Sequence, residues 1–316
     1  MPNYRLEKKM SIDSIYRTRS LGVPTVGLPD QYADGRAAKV WELYMGGKTS
    51  RTDAYKEWFV QTFKDRGVKT VIDVACGTGI DSVMLLEEGF QVVSCDASDK
   101  MLKSALEERW RRRKETKFDN WVIKEANWLT LKEDLNADGD VPIKLFDAVI
   151  CCGNSFAHLP DFEGTLEKHK IAISQFYSML KPGGILFIDH RNFDHILDHG
   201  CVPQGPNVYY QGKFLKDIKC SNLTVNGKPN MTTFDYEMDI HNVEPEILTK
   251  LRIDPAEQVC WKFRLSYYPH RLQTFNGLLR SVFGDDAEHH IYADFQPMDD
   301  STKDPAYYMH VIKRPA

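Results

Sequence analysis

Short apolar runs alternate with amphipathic stretches between residues 70 and 190. Each run has the length of a buried strand: TVIDVA, QVVSCDA, WVIKEA, LFDAVICCG and ILFIDH. The stretches between them have helical spacing, namely DSVMLLEEGF, SDKMLKSALEERWRRR and residues 165–180, and KPGG ends the last of these helices. This alternation predicts an α/β fold, with a mostly parallel sheet and helices on both of its faces.

Two helices are predicted before the sheet, over Ala37–Met45 and Asp53–Lys64. Among the later helices, SDKMLKSALEERWRRR has the clearest apolar face. Ser98 or Asp99 caps its start, and one side carries Met101, Leu102, Ala105, Leu106 and Trp110. The basic run RWRRRK at 109–114 has acidic neighbours, so we expect a solvated surface rather than a nucleic-acid site.

The pattern changes after Arg191. Asn226-Gly227 lies between two strand-like segments and predicts a tight hairpin. A charged stretch at 239–258 follows, and then the segments WKFRLSYY (strand), RLQTFNGLLRSVFG (helix), IYADF and YYMHVIKR (strands). We therefore expect an N-terminal extension and arm (1–36), an α/β core (37–190), a cap subdomain (191–260) and a C-terminal segment (261–316) that completes the core sheet with an antiparallel edge strand.

Composition and charge are those of a globular protein. Hydrophobic residues make up 42% of the chain and the net charge is −4, which gives no electrostatic reason to expect nucleic acid or a membrane surface as a partner. The sequence shows neither a secretory h-region nor a membrane-spanning apolar run. The seven cysteines form no CxxC pair, so we expect a cytoplasmic protein with Cys151 and Cys152 as buried thiols.

The strand TVIDVA runs into a glycine-rich loop, ACGTGID, of the kind that holds ligands in α/β proteins. A triphosphate loop needs Lys followed by Ser or Thr after its last glycine, and Ile80 and Asp81 stand there instead. A dinucleotide fold needs a third glycine, where this chain has Ser82. Both of these ligand classes are therefore disfavoured.

S-Adenosylmethionine fits the loop better, because its sulfonium is a cation and carboxylates are near. Asp73 and Asp81 flank the glycines, and Asp96 follows Gly77 at the end of the second strand, where an acid can accept the ribose hydroxyls. The segments EANWLTL (125–131) and CCGNSFAHL (151–159) end the third and fourth strands at the same edge of the sheet. The first would border the adenine ring and the second the methyl group.

The sequence then resembles the glycine N-methyltransferase family from about Ser11 to the C-terminus. The likeness rests on DSIYRTRSLGV, LPDQYADG, VWELYMG, VIDVACGTGIDSVMLLEEGF, DASDKMLK, ANWLTL, GNSFAHLPD, IDHRNFDHIL and FRLSYYPH. It implies a class I methyltransferase fold and conversion of glycine to sarcosine with S-adenosylmethionine as methyl donor. It also implies a cytosolic homotetramer that a reduced folate inhibits.

The resemblance also assigns site residues. Around the cofactor it places Tyr32, Trp41, Arg51, Ala75, Asp96, Asn127, Trp128, Cys152 and Ser155, to which the loop itself adds Gly77. Around glycine and the methyl group it places Tyr44, Asn154, Arg191, Tyr210, Tyr236 and Tyr267. The chain departs from the family in residues 1–10, before the alternative initiator Met10, in a longer 239–258 stretch, and in Val26, which replaces a glutamate of the mammalian arm. We expect this arm, Ser11–Leu28, to dock on a neighbouring subunit.

Methyl transfer to an amine needs no metal, and the predicted anchor is Arg191, whose guanidinium can hold the glycine carboxylate with two donors. The sequence does not identify a general base, since His158 and water serve equally well. His195 and His199 form an HxxxH pair, but Ile196 stands where a zinc protease has glutamate, so we expect no metal site.

Three alternative functions stay open on the sequence alone. A sarcosine- or dimethylglycine-methylating enzyme would share most of these motifs. A nicotinamide-dependent oxidoreductase is disfavoured by the missing third glycine. A non-catalytic folate-binding protein is disfavoured by the presence of Asp96, Asn154 and Arg191.

Overall fold

An eight-stranded sheet forms the centre of the protein, and a three-stranded sheet lies beside it. The computed structural model describes residues 43–44, 51–137, 141, 144–205, 207–210, 214–225, 227–239, 243–251, 254, 262–299 and 302–316. The strands are β1 (Thr70–Asp73), β2 (Gln91–Asp96), β3 (Val122–Glu125), β4 (Phe146–Cys151), β5 (Leu180–Arg191), β6 (Leu215–Val225), β7 (Lys228–Met238), β8 (Lys262–Tyr267), β9 (His289–Ala293), β10 (Gln296–Pro297) and β11 (Tyr307–Lys313).

The helices lie mostly between these strands. They are α1 (Asp53–Asp65), α2 (Ile80–Glu87), α3 (Asp99–Arg111), α4 (Thr116–Asp119), α5 (Leu131–Asn136), α6 (Glu167–Met179), α7 (Phe193–His199), α8 (Pro245–Leu251) and α9 (Leu272–Phe283), with a 3-10 turn at Ser155–His158. Within the described ranges, none of the helices is both long enough and apolar enough for a membrane span.

The large sheet has the strand order β10-β9-β11-β5-β4-β1-β2-β3. Strands β1 to β5 pair in parallel, whereas β11 is antiparallel to both β5 and β9. The first strand of the chain, β1, is in the middle of this sheet, between β2 and β4. The connection after β1 leads to β2 on one side of it, and the connection after β4 leads to β5 on the other side. Such a switch point opens a cleft at the carboxyl ends of the strands. The predicted α/β fold with an antiparallel edge strand is confirmed.

Two apolar layers cover the faces of this sheet. On one face α1 and α2 pack against the strands, with the Phe59 ring centroid 4.2 Å from that of Phe187 in β5. On the other face α6 and α9 pack together, through Phe176 and Phe275 among others. The continuous apolar runs of the sequence follow from this double coverage, because both sides of the central parallel strands are buried, whereas β3 at the edge of the sheet is only partly buried.

Helix α3 differs from its prediction. Met101, Leu102 and Ala105 are buried as expected, but Leu106 is 46% exposed and Trp110 is 69% exposed. The Arg113 guanidinium covers the Trp110 ring at 4.2 Å instead. Helical spacing indicates an apolar face, but it does not show how far along the helix a neighbour covers that face.

Helix α6 ends at Met179, next to KPGG, so the predicted end of the helix is confirmed, but KPGG lies inside the following strand instead of before it. Strand β5 already begins at Leu180, and its register with β4 shifts between Phe146 and Ala148, which accommodates the KPGG residues as an irregularity inside the strand. A Cβ atom at Gly184 would lie 3.0 Å from the Asp147 carbonyl oxygen. Glycine is needed there because two backbones approach closely.

The small sheet has the order β6-β7-β8 and is antiparallel throughout. Its β6–β7 pair is the predicted hairpin, and Gly227 in the turn has φ +75°. Strand β8 belongs to this sheet, although the sequence assigned residues after 260 to the core. Segments of similar apolar character can join either sheet, and only the pairing partner decides between them.

Candidate active site

The glycine loop connects β1 to α2 at the switch point of the large sheet. Gly77 and Gly79 have φ of +53° and +89°, a region that other residues rarely adopt. A Cβ atom on Gly79 would come within 2.8 Å of the Trp121 ring, and one on Gly77 within 3.2 Å of Met101. The loop therefore needs glycine both for its backbone conformation and for close packing.

Ser82 stands where a dinucleotide motif has its third glycine. Its hydroxyl belongs to a buried hydrogen-bond network. The Ser82 hydroxyl donates to Asp73 Oδ2 at 2.7 Å, and the Ser94 hydroxyl donates to Ser82 Oγ at 2.7 Å. The Trp121 indole completes the chain by donating to Ser94 Oγ at 2.8 Å. Burial, helped by the nearby charge of Asp81, raises the pKa of Asp73 to about 8. The network holds this carboxyl group beneath the glycine loop.

We predict that Ser82→Ala lowers the free energy of unfolding by about 1–3 kcal/mol, because Asp73 and Ser94 each lose a buried partner. Urea unfolding measures this change. Ser174→Ala is the matched control, since it also removes a hydroxyl that donates a hydrogen bond, to the Lys170 carbonyl, but on an exposed helix surface. If the free energy of unfolding falls by the same amount in both variants, the buried network does not stabilise the protein more than an exposed hydrogen bond does.

Asp96 at the end of β2 is held from two sides. Its Oδ2 accepts a hydrogen bond from the Gly77 N–H at 2.9 Å, and its Oδ1 accepts one from the Ser98 N–H at 2.9 Å. A carboxylate can accept about four hydrogen bonds. One that two main-chain donors have already oriented can also receive the hydroxyls of a ligand in the cleft.

A cleft lies beside Asp96, at the carboxyl ends of β1, β2 and β4. Its lining includes most of the predicted cofactor residues: Arg51, Ala75, Gly77, Asp96, Trp128, Cys152 and Ser155. Asn127 is not in this lining; its main-chain N–H donates to Asp134 and its Oδ1 accepts from the Leu129 N–H. Tyr32 and Trp41 lie outside the described residues, as does the arm at 11–28.

Arg51 lines the cleft and pairs with a carboxylate. Its Nε donates to Asp81 Oδ1 at 2.8 Å, and its guanidinium lies 4.2 Å and 4.4 Å from the ring centroids of Tyr55 and Tyr210. The Nη1 atom is buried and, among the described residues, has no hydrogen-bond partner. Arg51 can therefore offer a donor to a ligand carboxylate while its charge is balanced by Asp81.

Apolar and sulfur-bearing residues also line the cleft. The Trp128 indole donates to the Val74 carbonyl at 2.6 Å and its ring stacks on Phe156. The Ser155 hydroxyl donates to the Cys152 carbonyl at 2.8 Å and so shapes the turn after β4. The Cys152 thiol is buried, as the sequence indicated. This part of the lining can enclose an aromatic base and a thioether.

Arg191 at the end of β5 is a buried cation. Its guanidinium lies between the rings of Phe234 and Tyr307, at 5.2 and 4.9 Å, and Nη2 donates to the Tyr236 hydroxyl at 3.4 Å. No carboxylate among the described residues lies within ion-pair distance of it, although only 8% of the residue is exposed. Burying an unpaired charge is costly, so this arrangement favours an anionic ligand.

Tyrosines surround this cation and connect it to the cleft. Tyr210 lines the cleft, and its ring contacts Tyr44 edge-on with the centroids 5.7 Å apart. Tyr44 in turn contacts Tyr236 at 5.6 Å, and the Tyr236 and Tyr267 hydroxyls lie 3.5 Å apart. These four tyrosines are each no more than 3% exposed. The structure thus brings the predicted glycine-binding side chains together, next to the predicted cofactor cleft.

Asn154 joins the two parts of the site. It has φ +59°, and its Oδ1 accepts a hydrogen bond from the Arg191 N–H at 3.0 Å. Its own N–H donates to Asp189 Oδ1 at 2.7 Å, while its Nδ2 is buried and has no partner among the described residues. The turn after β4 is therefore fixed to the end of β5.

Asp189 is a site residue that the sequence reasoning missed. It is completely buried and accepts hydrogen bonds from the N–H groups of Gly153 and Asn154, and burial raises its pKa to about 6. An acid inside the apolar run ILFIDH is a visible signal, because a buried carboxylate needs partners. The pairing of Arg51 with Asp81 had no comparable signal.

His158 lines the cleft, and its ring centroid is 4.6 Å from that of Tyr267. His158 therefore lies between the cofactor cleft and the tyrosines around Arg191. The imidazoles of His195 and His199 stack with their centroids 4.2 Å apart. In the part of the chain that the structure describes, no three His, Cys, Asp or Glu side chains cluster as metal ligands do.

The chain is similar in sequence to known methyltransferases. The model of the methyltransferase domain family matches residues 65–246. The chain is 53% identical to the glycine N-methyltransferase of Mus musculus, over 96% of this chain and 99% of that one, and 52% identical to that of Homo sapiens over the same shares. The glycine/sarcosine N-methyltransferase of Aphanothece halophytica is 32% identical over 90% of each chain.

A similar fold occurs in solved structures of low sequence identity. An S-adenosylmethionine-dependent methyltransferase from Clostridium acetobutylicum superposes with a TM-score of 0.59 at 13% identity, covering 90% of this chain and 99% of that one. The CcbJ methyltransferase of Streptomyces caelestis gives 0.55 at 13% identity, over 89% and 98%. At this identity the likeness concerns the fold alone.

Proposed function

The chain belongs to the glycine N-methyltransferase family, and we propose that it transfers the methyl group of S-adenosylmethionine to glycine, giving sarcosine and S-adenosylhomocysteine, with Arg191 holding the glycine carboxylate. The observation that carries this proposal is the buried Arg191 guanidinium, which has no carboxylate partner among the described residues. A planar carboxylate can accept two parallel hydrogen bonds from such a group.

The reaction is an in-line displacement. The glycine nitrogen forms a bond to the methyl carbon while the carbon–sulfur bond breaks and its electron pair stays on sulfur. S-Adenosylmethionine supplies an activated methyl group, and the protein supplies orientation, which contributes up to about 7–11 kcal/mol in favourable cases. Arg191 and Asn154 fix one end of glycine at the cleft edge, so that the nitrogen faces the cofactor.

The tyrosines act as neutral groups in this proposal. Burial raises the pKa of Tyr210 and of Tyr236, so both keep their phenolic proton. Neutral hydroxyls can orient the amine in its uncharged form. A carboxylate in their place would instead stabilise the protonated ammonium, which cannot attack the methyl group. The amine must also lose a proton before or during transfer. His158 or water takes this proton.

The proposal predicts a specific order of substrates. Purified protein with labelled S-adenosylmethionine should methylate glycine fastest among glycine, sarcosine, dimethylglycine and guanidinoacetate, because closely packed tyrosines leave little room for methyl groups on the nitrogen. Counting label in the products measures each rate. Equal or faster transfer to dimethylglycine would contradict the proposal and favour an enzyme that forms betaine.

Three further parts of the proposal rest on the family resemblance. We propose a homotetramer, inhibition by a reduced folate, and a cytoplasmic location. The last is supported by Cys151 and Cys152, which are buried, unpaired thiols of a kind that a reducing compartment preserves. We also propose a role for the enzyme in controlling the ratio of S-adenosylmethionine to S-adenosylhomocysteine.

A further inference from the structure

Three imidazoles form a hydrogen-bonded chain behind the glycine site. His289 Nε2 lies 3.0 Å from His310 Nδ1, and His310 Nε2 lies 3.1 Å from His190 Nε2. His190 Nδ1 then lies 2.9 Å from the main-chain oxygen of Arg191. The chain crosses from β9 through β11 to β5 and ends at the residue that we assign as the substrate anchor.

The contacts fix where each proton lies. A carbonyl oxygen can only accept, so His190 must carry its proton on Nδ1, and its Nε2 must accept. His310 must then donate through Nε2 and accept at Nδ1, which requires His289 to donate through Nε2. The neutral chain has only this one arrangement, and His190 is the member with its proton on Nδ1.

The hydrogen-bonded histidine chain is buried at the end formed by His190 and His310. His190 is 1% exposed and His310 is completely buried, and rings of Phe275 and Tyr308 pack against them. Burial lowers the pKa of His190 to about 4 and that of His289 to about 4, and it lowers the pKa of His310 as well. All three imidazoles are therefore neutral at physiological pH, as the hydrogen-bond pattern requires.

The main chain of Arg191 is held on both sides by buried side chains. Its N–H donates to Asn154 Oδ1 at 3.0 Å, and its carbonyl accepts from His190. We propose that His190, oriented by His310 and His289, is a positioning residue that fixes the backbone of Arg191 and so aims its guanidinium at the glycine carboxylate. This inference rests on the proposed function, because it concerns how well that anchor works.

The first test examines the chain without any mutation. Nitrogen-15 NMR of the wild-type protein, labelled on its histidines, reports which ring nitrogen carries the proton at pH 7. We expect Nδ1–H on His190 and Nε2–H on His310. Neutral histidine in water prefers the proton on Nε2, so a proton on Nδ1 of His190 is the result that identifies the hydrogen-bonded chain. A proton on Nε2 of His190 would break the chain and overturn the proposal.

The second test measures substrate binding in variants. His310→Leu removes the donor to His190, and we expect KM for glycine to rise about three- to tenfold, the usual effect of losing one hydrogen bond. Affinity for S-adenosylmethionine should stay within about twofold, because its cleft lies around β1 and β2. His310→Gln keeps an N–H near the Nε2 position, and we expect it to restore KM.

His169→Leu is the matched control. His169 is also completely buried, and burial lowers its pKa to about 4, but it lies on α6 and packs against His270 and Phe156. The His169→Leu variant should lose thermal stability without a rise in KM for glycine. If His310→Leu loses stability but keeps its KM, the chain is only structural and the proposal fails; if that variant does not fold, the tautomer measurement decides.

The two proposals fail in different ways. If Arg191 substitutions abolish methylation while His310→Leu leaves KM unchanged, the proposed function stands and the positioning role is wrong. If the wild-type protein does not methylate glycine, the function is wrong, whatever the tautomer of His190.

Discussion

Replacing Arg191 with lysine is expected to lower kcat/KM for glycine at least about a hundredfold while leaving the affinity for S-adenosylmethionine within about twofold. Lysine keeps the positive charge but presents a single ammonium point instead of a fork of parallel donors. The guanidinium is also wedged between the Phe234 and Tyr307 rings, where a lysine side chain would not stay in one position. The loss corresponds to about 2.7 kcal/mol of transition-state stabilisation.

Steady-state kinetics and calorimetry with the cofactor measure these two effects. Arg264→Lys is the matched control, because the Arg264 guanidinium holds a carboxylate, that of Asp235, with two hydrogen bonds, but on the exposed side of the small sheet. We expect it to keep wild-type kinetics, since exposed ion pairs contribute little. Normal turnover of glycine by Arg191→Lys would place the carboxylate anchor elsewhere and remove the main support for the proposed function.

Replacing Asp96 with alanine is expected to weaken S-adenosylmethionine binding about a hundredfold or more. Two charge-assisted hydrogen bonds to the ribose hydroxyls would be lost, each contributing about 1.5–3 kcal/mol. The substitution also removes the acceptor for the Gly77 and Ser98 N–H groups, so the glycine loop loses its attachment to β2. Both effects act on the cofactor cleft and leave the tyrosine cluster around Arg191 in place.

Isothermal titration calorimetry with S-adenosylmethionine measures the affinity, and circular dichroism checks that the variant is folded. Asp99→Ala is the control, because Asp99 lies three residues further on, at the start of α3, and pairs with Lys100 at the surface. It should bind the cofactor normally. A folded Asp96→Ala protein with unchanged affinity would show that the cofactor does not bind at this cleft.

The cofactor half of the candidate site could be located from the sequence because its parts follow regular strands. Ala75 and Gly77 lie in the loop after β1, Asp96 ends β2, and Cys152 follows β4. Parallel strands bring their carboxyl ends to one edge, so residues at successive strand ends must be neighbours. The glycine half had no such local rule. Tyr236 and Tyr267 come from the small sheet, and their place around Arg191 was available only through resemblance to a family.

The sequence by itself determined the alternation of strands and helices, the glycine loop and the hairpin at 226–227, because each depends on the backbone preferences and burial of neighbouring residues. The tertiary structure decided what depends on contacts between distant segments: the exposure of Trp110, the KPGG irregularity inside β5, and the pairing of β8 with β7. The histidine chain is the clearest case. His190, His289 and His310 share no motif, and they meet only because β11 pairs with both β5 and β9 in one register.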